Sequence, residues 1–263
     1  MINLFPNTIV KFSLHAFMVM VLFLSYCSTI KKNSNQSLKT ITIVSNYDFV
    51  MIDNGAFIHV EDSFIVSYYQ DLILYQVPYT YEVTKPTVKN DTIEEDVINS
   101  EIKYKYFIYK ANSTTGYKYD SLNALSSRLF SVDSFLAAKA FAKSKLYDKT
   151  NDTLIEATTD QKTNVFTEKY IPRVKYDETY PDSSYMYFSD RELKNIEFAF
   201  SRYLDSLKNK KLFRVVFIHN PIPKGEYSFD VPRRELIFEM KETQLINSRG
   251  IIDFFERVKQ LYK

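Results

Sequence analysis

Strict alternation of side chains near the middle of the chain constrains the fold more than any other feature. The run IKYKYFIYK, residues 102–110, places apolar side chains at every second position: Ile102, Tyr104, Tyr106 and Ile108. A repeat of two residues turns successive side chains to opposite faces, which is the geometry of a β-strand. After a turn over residues 112–116, the run YKYD at 117–120 is expected to return as the partner strand.

Comparable runs of aromatic and β-branched residues recur along the chain, and such residues pack well across a pleated sheet. Tyr and Phe number 21 each, whereas Gly numbers only 4. The predicted strands cover residues 41–45, 48–52, 56–60, 64–69, 72–77, 79–83, 153–158, 164–171, 184–189, 195–200, 211–220 and 234–242. Asn54-Gly55 lies between two of them and predicts a two-residue hairpin turn, because both central residues of a type I′ turn need positive φ.

Two of these strands also indicate which side is buried. KLFRVVFIHN, residues 211–220, is apolar on both sides, which predicts a central strand covered on both faces. In RELIFEMKE, residues 234–242, alternation predicts a buried row formed by Leu236, Phe238 and Met240.

Helical spacing of apolar residues occurs in two windows. Residues 131–147 align Val132, Phe135 and Leu136 on one stripe, with Ser131 as the candidate N-cap. Residues 248–263 carry a second stripe, which Ser248 can cap. We expect the first helix to pack against the concave face of a sheet and the second to lie across a sheet.

A charged stretch, residues 85–100, interrupts the strands and predicts an exposed loop or a seam between two halves of one domain. Its acids are Asp91, Glu94, Glu95 and Asp96. The calcium-binding spacing of an EF-hand is missing, so a solvated acidic loop is the better interpretation.

The predicted fold is therefore mainly β, of the α+β kind, with roughly ten to twelve strands. Open sheets of that size curl or split into packed layers. We expect a curved antiparallel sheet or half-barrel with a mid-chain helix and a C-terminal helix. A β-sandwich is the alternative.

The N-terminal region predicts the compartment. Residues 12–26 are largely apolar and follow the single basic residue Lys11. This stretch is shorter than the roughly 20 residues that cross a bilayer as a helix, and its layout is typical of an export signal.

Leu24-Ser25-Tyr26-Cys27 resembles a bacterial lipobox, although Tyr26 replaces the usual small residue before the cysteine. The resemblance implies cleavage before Cys27 and acylation of its thiol, which would hold the protein at a membrane without a spanning segment. The alternatives are an uncleaved N-terminal anchor helix, a plain secreted protein and a cytosolic protein. The predicted divisions are a signal peptide at 1–26, a flexible tether at 27–39 and a single β-rich domain at 40–263.

Charge and motifs narrow the possible chemistry. Removing the signal takes away Lys11 and no acid, so the mature domain is close to neutral and does not predict binding to nucleic acid. Phosphate-binding glycine loops and the HExxH zinc motif are absent from the sequence. We therefore predict no catalytic residues, no metal site and no cofactor.

Two histidines remain outside the signal, His59 and His219. His219 ends a predicted central strand beside Asn220, a position from which it could serve a hydrolase. A structural histidine is the more common outcome, and His59 fits a residue on the sheet surface.

Residues 221–240, PIPKGEYSFDVPRRELIFEM, resemble the C-terminal motif of the GLPGLI family of exported bacterial proteins. The matching positions are Pro223, Gly225, Tyr227, Phe229, Pro232 and Ile237. The glycines of the name-giving motif are absent, with Val231, Arg233 and Arg234 in that stretch. The resemblance implies an exported β-protein and carries no activity with it.

These observations favour an exported, lipid-anchored cell-envelope protein with a binding or structural role. The expected location is periplasmic or outer-membrane-associated, with secretion as the alternative. Its partner would be an envelope protein or an apolar ligand. A carrier that holds an apolar ligand in a curved sheet and a hydrolase that uses His219 are the alternative functions.

Overall fold

Eleven antiparallel strands form one curved sheet in the computed structural model. The structure describes residues 38–51, 53–89, 92–138, 147–148, 150–176, 180–190, 193, 196, 198–225 and 227–262. The predicted signal and Cys27 lie outside these residues, as does the tether up to residue 37. Leu38 packs against buried residues, and Lys39 begins the first described strand.

The elements follow one another along the chain with short connections. The strands are β1 (Lys39–Val50), β2 (Phe57–Tyr69), β3 (Leu72–Lys89), β4 (Thr92–Lys110), β5 (Thr115–Tyr119), β6 (Arg128–Ser131), β7 (Asp152–Asp160), β8 (Val165–Pro172), β9 (Ser183–Ser189), β10 (Lys211–His219) and β11 (Arg234–Glu242). The helices are α1 (Val132–Ala138), α2 (Arg202–Lys208) and α3 (Ser248–Lys259), and a 3₁₀ turn covers Gln260–Tyr262.

The sheet consists of two meanders joined in the middle. Its spatial order is β6-β5-β4-β3-β2-β1-β11-β10-β9-β8-β7, so the first and last strands of the chain are neighbours. Within the described residues, β6 and β7 form the two open edges. The predicted antiparallel, strand-dominated fold is confirmed. The sandwich alternative needs two sheets, whereas the described strands hydrogen-bond into one.

One face of the sheet, the inner face, carries α1, α2 and the larger core. Alternate residues of the central strands point into this core, among them Ile41, Ile43, Phe64, Val66, Val215 and Met240. Burial of Val216 and Ile218 on the opposite side confirms that β10 is covered on both faces. Of the row predicted in β11, Met240 is buried, while Leu236 and Phe238 are half-buried.

The outer face carries α3, as predicted for a C-terminal helix laid across the sheet. Ile251, Phe254, Phe255 and Val258 pack on Leu72, Leu74 and Ile108 of β3 and β4. The helix is capped by Asn247, whose side chain accepts from the Gly250 N–H, and not by Ser248.

The connection between the two meanders contains α1. Ser131 accepts a hydrogen bond from the Ser134 N–H, as expected of an N-cap. Phe135 packs on the inner face against Phe107 and Tyr75. The described helix ends at Ala138, and residues 139–146 of the predicted helix lie outside the described part of the chain.

The prediction of a loop at residues 85–100 is wrong. β3 and β4 pair from Leu72–Lys110 out to Lys89–Thr92, whereas the β2 pairing of β3 ends at Gln76. The paired residues 77–89 and 92–105 therefore form a two-stranded arm beyond the sheet, about 40 Å long at 3.3 Å per residue. The charged residues obscured the alternation typical of a strand, because most side chains of an isolated two-stranded ribbon face water and need not be apolar.

Two smaller predictions also need correction, and one helix was not predicted. Met51 and Ala56 pair across a four-residue loop, and among its described residues, 53–55, Gly55 alone has positive φ, so the Asn54-Gly55 turn is wider than the predicted two residues. The described residues of 195–200 are irregular and cover the inner face instead of forming a strand. Helix α2 was not predicted, because its seven residues are too short to show a period.

Candidate functional site

Beyond its covered core, the inner face continues as a row of apolar side chains on four adjacent strands. Cross-strand pairing places Phe217 opposite Leu236, Leu236 opposite Tyr47, and Tyr47 opposite Val60. All four are half-buried, in contrast to the fully buried residues further along the same strands. We call these four residues the apolar row.

The apolar row is bounded on one side by the covering segment, which consists of the described residues from Ile196 to Lys208 and lies over the inner-face core. Phe238 follows Leu236 on the same face, and its ring lies 6.4 Å from that of Phe200. The Phe198 N–H donates to the Tyr68 hydroxyl at 3.1 Å. These contacts hold the covering segment over the inner face and end the half-buried zone at Phe238.

A buried ion pair anchors the other end of the covering segment. Lys208, at the end of α2, donates to Glu168 of β8 at 2.5 Å, and the Tyr170 hydroxyl donates to the same carboxylate at 2.7 Å. Only 2% of the Glu168 side chain is exposed. Burial and the Glu168 carboxylate raise the pKa of Tyr170 well above its ordinary value. The phenol therefore remains a hydrogen-bond donor at neutral pH.

On the opposite side, the apolar row is bounded by His219 and Arg234. These residues face each other across β10 and β11, two residues from Phe217 and Leu236 and therefore on the same face. His219 Nδ1 and Arg234 Nε are both buried and find no hydrogen-bond partner in the described chain. We call them the His219–Arg234 pair.

The carboxylate of Asp182, which interacts electrostatically with His219, is already occupied. Its Oδ1 accepts from Lys175 Nζ and its Oδ2 from the Asn220 N–H, each at 2.6 Å. Burial alone would raise the pKa of Asp182, but these two donors hold the pKa below its ordinary value. Arg234 forms no ion pair with any described residue.

Burial and the Arg234 guanidinium lower the pKa of His219, while the Asp182 carboxylate opposes them. The imidazole is therefore neutral at pH 7. Since its side chain makes no hydrogen bond to any residue that the structure describes, the arrangement lacks the carboxylate that orients a catalytic histidine.

The other polar groups considered in the sequence take part in local contacts. His59 Nδ1 lies 2.7 Å from Asp48 Oδ1 on the outer face, as fits a sheet-surface residue. Lys103 and Lys105 lie over the rings of Tyr81 and Tyr79 on the arm. Over the described residues, no group of three or more His, Cys, Asp or Glu side chains could hold a metal ion.

The described acids of the predicted loop, Glu95 and Asp96, lie on the arm. Glu95 accepts from Thr84 and Asp96 from Thr87. Asp91 and the side chain of Glu94 lie outside the described residues.

The segment that resembles the GLPGLI motif leads into β11. Ile222 and Val231 form an isolated bridge, and Tyr227 stacks on Phe229, whose ring contacts Gly55. Neither a family model nor a curated protein matches this chain. None of the described helices is long and apolar enough to cross a membrane.

Sequence reasoning singled out His219 but missed Arg234. The pattern that could have found it was present, because Arg234 shares the alternation of Leu236 and Phe238 in RELIFEMKE. A cation placed at a position of the buried row is unusual and invites a search for its partner.

Proposed function

We propose that this chain is an exported, non-catalytic binding protein of the cell envelope, anchored through an acylated Cys27. In this proposal the curved sheet forms a half-barrel that is open between β6 and β7. Its inner face receives a ligand with an apolar chain, which lies along the apolar row. The protein holds or presents that ligand at a membrane surface.

The half-buried state of the apolar row carries the proposal. Four apolar side chains on consecutive strands form a continuous strip, whereas a single exposed apolar residue would mean little. The strip extends a core that is otherwise closely covered. Each methylene of a ligand buried there gains about 0.8 kcal/mol, so even a partly sheltered acyl chain binds usefully.

A hydrolase that uses His219 has less support. The Asp182 carboxylate, which interacts electrostatically with His219, is engaged by Lys175 and Asn220, as described above. Replacement of His219 by Ala leaves esterase and glycosidase screens unchanged if the imidazole is structural. Activity that disappears with this substitution would instead favour the hydrolase.

Ligand retention tests the binding function. We expect native mass spectrometry of the full chain, purified from a bacterial host, to show bound acyl lipid. Leu236→Gln should reduce this occupancy, because it makes the apolar row polar. Ile237→Gln, on the outer side of the same strand, is the matched control. Protein that stays free of ligand, also after incubation with membrane lipid extract, would contradict the proposal.

The anchor is tested separately with Cys27→Ser. We expect the wild-type chain to partition with membranes and to begin at an acylated Cys27, as read from the intact mass. The variant should lose both properties. Identical behaviour of the two forms would show that Cys27 is incidental and would favour a secreted or helix-anchored protein.

A further inference from the structure

We infer that the ligand of the inner face is an anionic amphiphile, whose acidic headgroup is bound by the His219–Arg234 pair while its chain covers the apolar row. This inference rests on the proposed binding function and adds the chemical class of the ligand. The headgroup chemistry is that of a carboxylate or phosphate at the end of an acyl or alkyl chain.

The first observation is an uncompensated positive charge beside an apolar surface. The charge of Lys175 is matched by Asp182, and that of Arg233 by Glu235 at 2.6 Å. Arg234 has no such partner in the described chain. An arginine that is half-buried without an anion is costly, because its guanidinium loses water and gains no acceptor.

The second observation is the convergence of unsatisfied nitrogen atoms. Arg234 Nε always carries a proton, and His219 Nδ1 can carry one, so the pair offers donors of hydrogen bonds from two adjacent strands. Arginine binds carboxylates and phosphates through two parallel N–H groups, and this is the strongest way in which its charge can pair with an anion. Both residues are half-buried overall, so part of each side chain still faces solvent.

The third observation is geometric. Residues two apart on a strand lie about 7 Å from each other, so the His219–Arg234 pair borders the apolar row directly. Beyond the row lies Phe238, covered by Phe200. The row itself runs across the strands from Phe217 to Val60, so a molecule whose charged end meets the pair can lay its single chain along the row, between these two flanks. A neutral hydrocarbon would leave Arg234 unpaired.

The test compares three probes of equal chain length: a long-chain fatty acid, the corresponding alkyl phosphate and the corresponding alcohol. The protein is the full chain carrying Cys27→Ser, freed of bound lipid, so that attached acyl chains do not compete for the site. Binding is measured by displacement of a fluorescent apolar probe. We expect at least one acid to bind about tenfold more tightly than the alcohol, which is the typical gain from a charged hydrogen bond.

Arg234→Gln should abolish this preference and leave binding of the alcohol unchanged. Arg233→Gln is the matched control, because it removes the neighbouring, exposed arginine, and the preference should persist. Arg234→Lys keeps the charge without the forked donors, and we expect it to retain only part of the preference. It also serves as the informative variant if circular dichroism shows that Arg234→Gln does not fold.

The possible results test the headgroup assignment and the proposed binding function separately. Equal affinity for acid and alcohol, or loss of the preference in Arg233→Gln as well as in Arg234→Gln, overturns the headgroup assignment and leaves a carrier of neutral apolar ligands. Failure of all three probes to bind removes the proposed function and this inference together. A preference for the phosphate over the fatty acid, or the reverse, identifies the source of the anion.

Discussion

Removal of Lys208 should destabilise the fold far more than a surface charge normally would. Lys208→Met leaves the Glu168 carboxylate buried, with the Tyr170 hydroxyl as its one remaining donor among the described residues. Breaking a buried pair by removing one partner costs about 3–5 kcal/mol. Since 24% of the Lys208 side chain is exposed, water already weakens the pair, and we expect a loss of about 3 kcal/mol.

The reverse substitution should cost less. Glu168→Gln removes the buried charge but keeps an oxygen that accepts from Tyr170, while Lys208 can reach water. We expect a loss of about 1 kcal/mol from this variant. The double variant should resemble Glu168→Gln alone, because no buried charge is left behind, which gives a coupling energy of about 3 kcal/mol.

Urea unfolding at pH 7 measures these differences by circular dichroism or tyrosine fluorescence, since the chain has no Trp. Lys210→Met is the control, because its contact with Asp190 spans 3.5 Å and both side chains are considerably exposed. That variant should change the unfolding free energy by less than about 0.5 kcal/mol. A Lys208→Met loss below about 1 kcal/mol, or additive effects in the double variant, would refute the buried-pair reasoning.

Further predictions concern the outer helix, the β1–β2 loop and the pH response. Phe255→Ala should lower the unfolding free energy by about 3–5 kcal/mol in denaturant titrations, because its fully buried ring leaves a cavity under α3, whereas Leu261→Ala should have little effect. Gly55→Ala should cost about 1–2 kcal/mol, measured in the same way, because its φ is +70° and the new Cβ would lie 2.8 Å from the Phe229 ring. Because the pKa of His219 is lower in the folded chain than its ordinary value of 6.5, the unfolded chain takes up that proton first as pH falls. Stability of the wild type should therefore drop below about pH 6.5 relative to His219→Gln, and a pH-independent difference between the two would contradict this.

Much of the sheet was predictable because its strands carry strong local patterns. IKYKYFIYK and KLFRVVFIHN alternate or remain apolar over nine and ten residues, and both form strands as predicted. Position along the chain does not reveal how strands pair, since that depends on contacts between distant residues. The neighbourhood of β1 and β11, with Ile41 opposite Glu242, is such a contact.

The sequence-based predictions were wrong where the exposure of a segment does not match its residue pattern. Residues 85–100 carry the charges of a loop, but two free-standing strands satisfy their backbone groups by pairing with each other, so their side chains need no apolar partner. Conversely, Phe198 and Phe200 resemble strand residues because they are buried, yet they cover the sheet instead of joining it. Only one of the two residues of the candidate site was identified from the sequence. His219 was noticed because histidine is rare in this chain, whereas nothing comparable drew attention to Arg234.

β1 and β11 pair in the middle of the sheet, and this pairing determines when the whole sheet can form. Each meander can form from local hairpins, but the two cannot unite until the chain has been synthesised beyond residue 242, roughly 200 residues after the first strand. The same arrangement places both sheet edges in the middle of the sequence, at β6 and β7. A cut between these strands would divide the sheet into two fragments that meet along the β1–β11 pair, under α3 and at the Phe198–Tyr68 hydrogen bond.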